Sequence, residues 1–395
     1  MIERSTLVDA PVTHLAATAY SIPTDAPESD GTLAWAETTI VVVEVEAGGQ
    51  QGLGYTYTNR SAATLIRSML ADVVRGRSAM DVPGSWVAMC GAVRNVGRPG
   101  LASTAIAAVD AALWDLKARL LDLPLVSLLG SVRSSVDVYG SGGFTSYTVD
   151  ALQRQLAGWV ESGITRVKMK IGRDPTADVS RVRAAREVIG PDAELFVDAN
   201  GAFSCKQALA VADAIEAFAV TWFEEPVSSD DLEGLRLIRD RAPARTEIAA
   251  GEYGYDLFYF RRMLEAGAVD VLQADATRCA GITGFLQVGA LCDAFGVPLS
   301  AHTAPSLHLA PCCALGRTRH IREQVQQATG RHALHLAEVV AMAAHDAPTD
   351  EERPRGSRAR TFGIAAVGAG VLLLAVRATF LRLRVRQGGV WQNAS

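Results

Sequence analysis

Six polar residues able to do chemistry recur along the middle of the chain at nearly constant spacing. They are Lys170, Asp198, Glu224, Glu252, Asp275 and His302, separated by 28, 26, 28, 23 and 27 residues. Each closes a short apolar run: RVKMK, ELFVD, TWFE, TEIAAGE, VDVLQAD and VPLSAH. Asp198, Glu224 and Glu252 come from consecutive runs, with no thiol or imidazole among them. Hard oxygen donors from three directions suit Mg2+, which keeps its remaining positions for water and substrate oxygens. Left bare, three clustered carboxylates would repel one another, so the set calls for a cation.

The stretch RVKMKIG alternates Val167, Met169 and Ile171 with Lys168 and Lys170, the period of a strand, and so sends both lysines to one face. An ammonium crowded by a second one and by a divalent cation loses its proton more readily. Lys170 is therefore the expected general base, with Lys168 holding a substrate carboxylate. His302 follows VPLSA, and Asp275 ends the preceding run; a carboxylate beside an imidazole orients it and fixes its tautomer. Lys170 and His302 stand on either side of the carboxylates, so a chelated substrate would meet an acid/base group on each face. Cation plus ammonium would stabilise the enediolate left when a proton is removed α to a carboxylate.

These residues need elements that bring them together. Between about 136 and 317, short β-type runs alternate with helical stretches over 149–162, 176–189, 206–218 and 231–241, and the rhythm continues beyond. Strands alternating with helices of this length imply parallel pairing. Seven such units favour a (β/α)8-type barrel, whose strand ends converge on one mouth. No GxGxxG follows the first strand and no GxxxxGK[ST] occurs, which argues against a nucleotide-binding sheet. Residues 1–135 form a mixed α+β unit: TTIVVVEVEAG reads as a strand, and Leu101 to Pro124 as a long amphipathic helix stopped by proline.

The chain has 395 residues, 21% of them charged, with a net charge of -5. That balance gives no reason to expect nucleic acid as a partner. The N-terminus lacks the basic and apolar regions of a signal peptide. Six cysteines without CxxC spacing read as buried thiols in a reducing compartment, so a cytoplasmic location is expected. One late segment, Thr361 to Val376, is 16 residues without a charge, just short of the roughly 20 needed to span a bilayer. It would bring membrane contact only as a C-terminal anchor.

Several ordered motifs resemble the mandelate racemase subgroup of the enolase superfamily over roughly residues 10 to 316. They are VKMK, FVDANGAF, WFEEPV, AAGE, QADATRCAGITG and SAHTA, with AIAAVDAALWDLKARLLDLPLVSLLG nearer the start. The resemblance implies an N-terminal capping domain over a (β/α)7β barrel, and Mg2+ held by Asp198, Glu224 and Glu252. It implies Lys170 and the His302–Asp275 dyad as the acid/base pair, and Asn200 touching substrate or metal-bound oxygens. It further implies a symmetric homo-oligomer and a small carboxylate substrate. The capping segments IPTDAPESDGTLAW and GYTYTNR would shape specificity, making Trp35, Tyr55 and Tyr57 candidate wall residues.

The chain departs from the family pattern after about Gly316. Family members typically carry a glutamate at the end of the eighth strand, in a context like RHIEYF. Here RHIREQ places Arg322 at that position and Glu323 one later. A frameshifted, truncated or fused C-terminus over 318–395 is the expectation, and with it an incompletely closed barrel. The leading function is Mg2+-dependent dehydration of an acid sugar to a 2-keto-3-deoxy acid. A racemase or epimerase of an α-hydroxy acid uses the same pair in opposite directions, and an inactive or membrane-tethered binding protein is the third possibility.

Overall fold

The computed structural model describes residues 10–323, together with the strands Leu383–Arg386 and Val390–Asn393. Three antiparallel strands begin the chain: β1 (His14–Ser29), β2 (Ala34–Ala47) and β3 (Gln50–Tyr57), in the order β1-β2-β3. The β1–β2 pairing slips register between Pro23 and Glu28 and then resumes with Glu28 opposite Trp35. One face of this sheet packs on the helix Leu101–Leu120. That helix is buried on almost every side from Ala102 to Leu113, Asp110 included, so the expected amphipathic pattern does not hold. Its many alanines let it pack against the sheet on one side and the barrel helix Gly281–Phe295 on another. It ends at Leu120, short of Pro124.

Eight parallel strands follow: β4 (Ser135–Gly142), β5 (Arg166–Lys170), β6 (Glu194–Asp198), β7 (Val220–Glu224), β8 (Glu247–Ala250), β9 (Val271–Ala274), β10 (Leu299–Ala301) and β11 (Thr318–Glu323). Each pairs with the next, and β11 pairs back onto β4, His320 facing Asp137 and Arg322 facing Tyr139. The barrel is closed, which corrects the expectation of an open one. The apolar Ile321 suffices for packing, and strand pairing needs only the backbone, so replacing a family glutamate by Arg322 does not break the ladder. Two further short strands, Leu383–Arg386 and Val390–Asn393, form an antiparallel hairpin beside the start of β4. The apolar stretch 361–376 lies outside the described residues, and among the described residues no helix is long and apolar enough to cross a membrane.

Seven helices link the barrel strands, giving a (β/α)7β arrangement. Local chemistry starts them: Asp174 precedes Pro175 and accepts from Thr176 N, Ser204 and Gln207 form a capping box, and Asp231 and Asp256 cap the next two. Each cap satisfies backbone donors that the first helical turn leaves free. The helix expected over 206–218 is α-helical only for Cys205–Ile215, then tightens into a 3-10 turn over Glu216–Phe218.

Period-two alternation builds the site. Val167, Met169, Leu195, Val197 and Phe223 point outward into the layer between strands and helices. Tyr139, Phe196, Trp222, Ala249 and Val271 point inward and form a floor, with Phe196 stacked on Trp222 at 5.2 Å between ring centroids. Two residues beyond Phe196 comes Asp198, and two beyond Trp222 comes Glu224. The inward face thus changes from aromatic floor to charged mouth over one strand repeat.

Candidate active site

At the C-terminal mouth the six expected side chains converge. The carboxylates of Asp198, Glu224 and Glu252 are buried, and one ligand oxygen from each lies within 4.8 Å of the others. Lys168 is fully buried; its Nζ is 3.0 Å from Asp198 Oδ2, donates to Glu224 Oε1, and sits 5.5 Å over the Tyr139 ring. Lys170 Nζ donates to the same Asp198 Oδ2 at 2.5 Å and to Asn200 Oδ1 at 2.8 Å. On the far side, His302 Nε2 is 2.9 Å from Glu252 Oε2, and its Nδ1 is 3.0 Å from Asp275 Oδ2. The carboxylate row therefore carries a lysine at one end and a histidine at the other.

Electrostatics follow from burial and pairing. Burial alone would raise the Asp198 carboxyl, but the Lys168 and Lys170 ammoniums hold it well below the usual range. Burial, with the negative Asp198 beside it, pushes Glu224 up. Burial opposes ionisation of Glu252 and Asp275 as well, and His302 overrides it in both, keeping them ionised. Asp275 Oδ1 accepts from Thr277 N and Thr277 Oγ1, both at 2.7 Å, which leaves Oδ2 for His302. Such second partners hold the dyad in one orientation. The donor set is all oxygen, buried and convergent from three strands, which fits Mg2+; Asp198, Glu224 and Glu252 would hold it.

Arg278, Glu225 and Glu28 were not singled out in the sequence, and Arg322 was read there only as a departure from the family pattern. Arg278, three residues after Asp275, lies 3.7 Å from both Glu252 Oε1 and Asp275 Oδ2 and links the two carboxylates. Its spacing is that of facing positions on a helical turn, a signal that could have been used. Glu225, next to Glu224, is buried at a positive φ of 41°, with Oε1 unpartnered. Beside Asn200 and Glu225 opens a pocket of about 450 Å3, lined also by Tyr253 and Tyr259. Glu28, from the capping segment, feels both Lys170 and Arg322 across the mouth. Arg322 itself is buried and its Nη1 touches His302 Nε2.

The candidate wall residues divide. Trp35 donates from Nε1 to Glu28 Oε2 at 2.8 Å and meets Phe144 edge-on, so it props the glutamate. Tyr55 is buried, its hydroxyl 3.2 Å from Ser306 Oγ, and Tyr57 packs against it. Those two tyrosines join the capping sheet to Ala304 and Leu307 behind His302.

Comparison with known proteins agrees with this geometry. Residues 151–349 match the enolase C-terminal domain-like family model, and residues 18–130 match that of the mandelate racemase / muconate lactonizing enzyme N-terminal domain. The L-talarate/galactarate dehydratase of Salmonella typhimurium is 34% identical over 279 residues, 69% of this chain and 70% of that protein. A mandelate racemase/muconate lactonizing enzyme-like protein from Rubrobacter xylanophilus superposes with a TM-score of 0.78 at 52% identity, over 80% of this chain and 87% of that one. A racemase from Streptomyces coelicolor with bound magnesium gives 0.76 at 32% identity, over 79% and 88% of the two chains. With matching models on both domains and a relative 34% identical over two thirds of the chain, this chain belongs to the mandelate racemase/muconate lactonizing enzyme family of the enolase superfamily.

Proposed function

We propose that the protein removes the proton α to the carboxylate of an acid sugar and expels the 3-hydroxyl, giving a 2-keto-3-deoxy acid. The observation that carries this is the placement of Lys170 on Asp198 and His302 on Glu252, opposite ends of one three-carboxylate set. Asp198, Glu224 and Glu252 would hold Mg2+, which would supply electrostatic stabilisation of negative charge on the substrate carboxylate. Lys170 or His302 takes the α-proton onto nitrogen. The enediolate electrons then expel the 3-hydroxyl, which leaves as water with a proton from His302, and the resulting enol takes a proton at C3 to become the ketone. Asp275 keeps the His302 ring in register throughout. Lys168, two residues before Lys170 on β5, would hold the substrate carboxylate, and Asn200, two residues past the end of β6, a substrate oxygen. The pocket beside Asn200, with Tyr253 and Tyr259 in its wall, suits a polyhydroxylated chain.

A racemase or epimerase is the second reading, favoured by the base on each face and by the racemase among the similar structures. A screen of acid sugars for 2-keto-3-deoxy products, with and without Mg2+ and in D2O, separates the two. Ketone formation dependent on Mg2+ supports the dehydratase. Deuterium exchange without ketone supports the racemase, and neither, with no divalent ion bound, leaves an inactive binding protein. A homo-oligomer belongs to the same proposal: Leu33, Val87 and Val96 of the capping domain are each at least 60% exposed, and light scattering of the full chain tests it.

A further inference from the structure

We propose that His308, on the helix Pro305–Ala314 that follows β10, is a positioning residue that holds Asp275 and His302 in the geometry proton transfer needs; this rests on the function proposed above. The ring has no solvent exposure and takes no part in the chemistry described so far. Its Nε2 lies 2.8 Å from Ala276 N, and its Nδ1 lies 2.9 Å from Thr303 O and 3.0 Å from Ala304 O. An amide N–H can only donate and a carbonyl can only accept. These partners therefore fix the ring as the neutral form with Nδ1 protonated and Nε2 bare. Ala276 follows Asp275, and Thr303 and Ala304 follow His302. One imidazole thus joins the two loops that carry the dyad.

The loop after β10 needs such a clip. Thr303 and Ala304 both have positive φ, 53° and 42°, where a residue with a Cβ is strained. Strained backbone persists only where its surroundings hold it, and the carbonyls of both residues end on His308 Nδ1. Released, the loop would let His302 Nδ1 turn away from Asp275 Oδ2, which it now meets at 3.0 Å. The neutral form matters as well, because His308 Nε2 is 3.9 Å from Asp275 Oδ1. A charged ring there would compete with His302 for the same carboxylate. Burial pushes the His308 ring toward the neutral form, although Asp275 works the other way. Phe285 meets the ring edge-on at 5.0 Å and keeps it from turning.

The test uses the full chain with Mg2+, its histidines labelled with 15N, and the acid sugars of the screen above. His308→Asn keeps an amide where Nδ1 stood and is too short for Ala276 N; His308→Gln keeps one where Nε2 stood and gives up the two carbonyls. Each variant holds one loop and frees the other. Both should lower kcat for α-proton exchange about 10- to 100-fold, the usual loss when a supporting partner is removed, with KM and Mg2+ affinity within about threefold. Imidazole 15N shifts should show His308 neutral with Nδ1 protonated in wild type, and His302 passing from one tautomer to a mixture in the variants. A kcat within twofold of wild type in both variants overturns the assignment, as does a parallel loss of Mg2+ affinity, which would make the residue merely structural. Should neither variant fold, the wild-type spectrum decides: His308 charged, or protonated on Nε2 instead, overturns it. Wild type that exchanges no acid-sugar proton while both rings keep the expected tautomers leaves the clip standing and removes the proposed reaction instead.

Discussion

Asp110 lies in the middle of the helix Leu101–Leu120 with no solvent exposure, accepting from Thr283 N at 2.9 Å and from Thr283 Oγ1 at 2.6 Å. These bonds tie the capping domain to the barrel helix that follows Asp275. Burial pushes its carboxyl up to about 7, although the Thr283 bonds work the other way. An acid with a raised folded pKa holds more protons folded than unfolded between the two values, so stability falls as pH rises through that window. A rise of about three units from an ordinary aspartate is worth roughly 4 kcal/mol in full, of which about 2 to 3 kcal/mol is spent between pH 5 and pH 8. Asp110→Asn removes the titration. It keeps an oxygen for Thr283 N–H but can no longer accept from the Thr283 hydroxyl, a pH-independent cost of about 1 to 3 kcal/mol. The variant should therefore be less stable than wild type at pH 5 and close to it, or above it, at pH 8. Urea unfolding followed by tryptophan fluorescence reads this directly, because Trp114 Nε1 donates to the same Thr283 hydroxyl at 2.9 Å. If the gap between variant and wild type is the same at both pH values, Asp110 is ionised throughout and the burial argument is wrong.

Other outcomes follow from the same geometry. Asp275→Asn leaves His302 without its orienting carboxylate and should slow α-proton exchange about 10^2- to 10^4-fold with Mg2+ affinity unchanged; exchange within threefold would show that the dyad is idle. Saturating Mg2+, at about 100 times its dissociation constant, should stabilise wild type by roughly 2.7 kcal/mol in urea, and Glu252→Gln should lose most of that gain. Gly31 has no room for a side chain, since a Cβ would come within 2.3 Å of Ala199 O and 2.8 Å of Ile171 O. Gly31→Ala should lift the capping segment, raising KM several-fold while Mg2+ binding holds; an unchanged KM would mean that the segment does not touch substrate.

The phase of the six mouth residues was legible because a parallel strand buried on both faces shows as an apolar run, and its end shows as the first charge. What lay beyond the phase depended on pairings between distant strands. Lys168 carries nothing in its sequence context to say that it would face Glu224, which needs β5, β6 and β7 in register. Arg322 looked like a break in the pattern; its meaning comes from β11 pairing with both β4 and β10, which aims it at His302. Glu28 stands in the acidic stretch TDAPESD, and only the return of β1–β2 pairing at Trp35 selects it over Asp25 as the one bonded to the indole. The polar spacing of Ser103, Thr104, Asp110 and Asp115 imitated a wet helix face. Asp110 is dry instead, because its partner Thr283 arrives from a helix more than 170 residues away.

The attachments of the cap decide where substrate selectivity can reside. Ser29 Oγ meets Thr145 Oγ1 at 2.6 Å, and Thr145 in turn donates to Asp30 O, fixing the capping segment just past β4. Thr56 Oγ1 donates to Thr277 O at 2.7 Å, two residues beyond the dyad aspartate. Trp86 Nε1 donates to Ala280 O at 2.7 Å, alongside the Asp110–Thr283 bonds. Bonds at the ends of β4 and β9 and at the start of the helix after β9 oppose a rigid swing of the cap, since any axis that relieves one set strains another. Substrate selection then falls to side chains rather than to domain movement. Glu28, from the cap, is half-buried at the mouth and close enough to Arg322 and Lys170 of the barrel to feel both charges. A ligand carboxylate brought beside Glu28 would meet a like charge, whereas a hydroxyl there could donate to it. Glu28 alone therefore favours acids with a neutral hydroxylated tail over diacids that would place a carboxylate there.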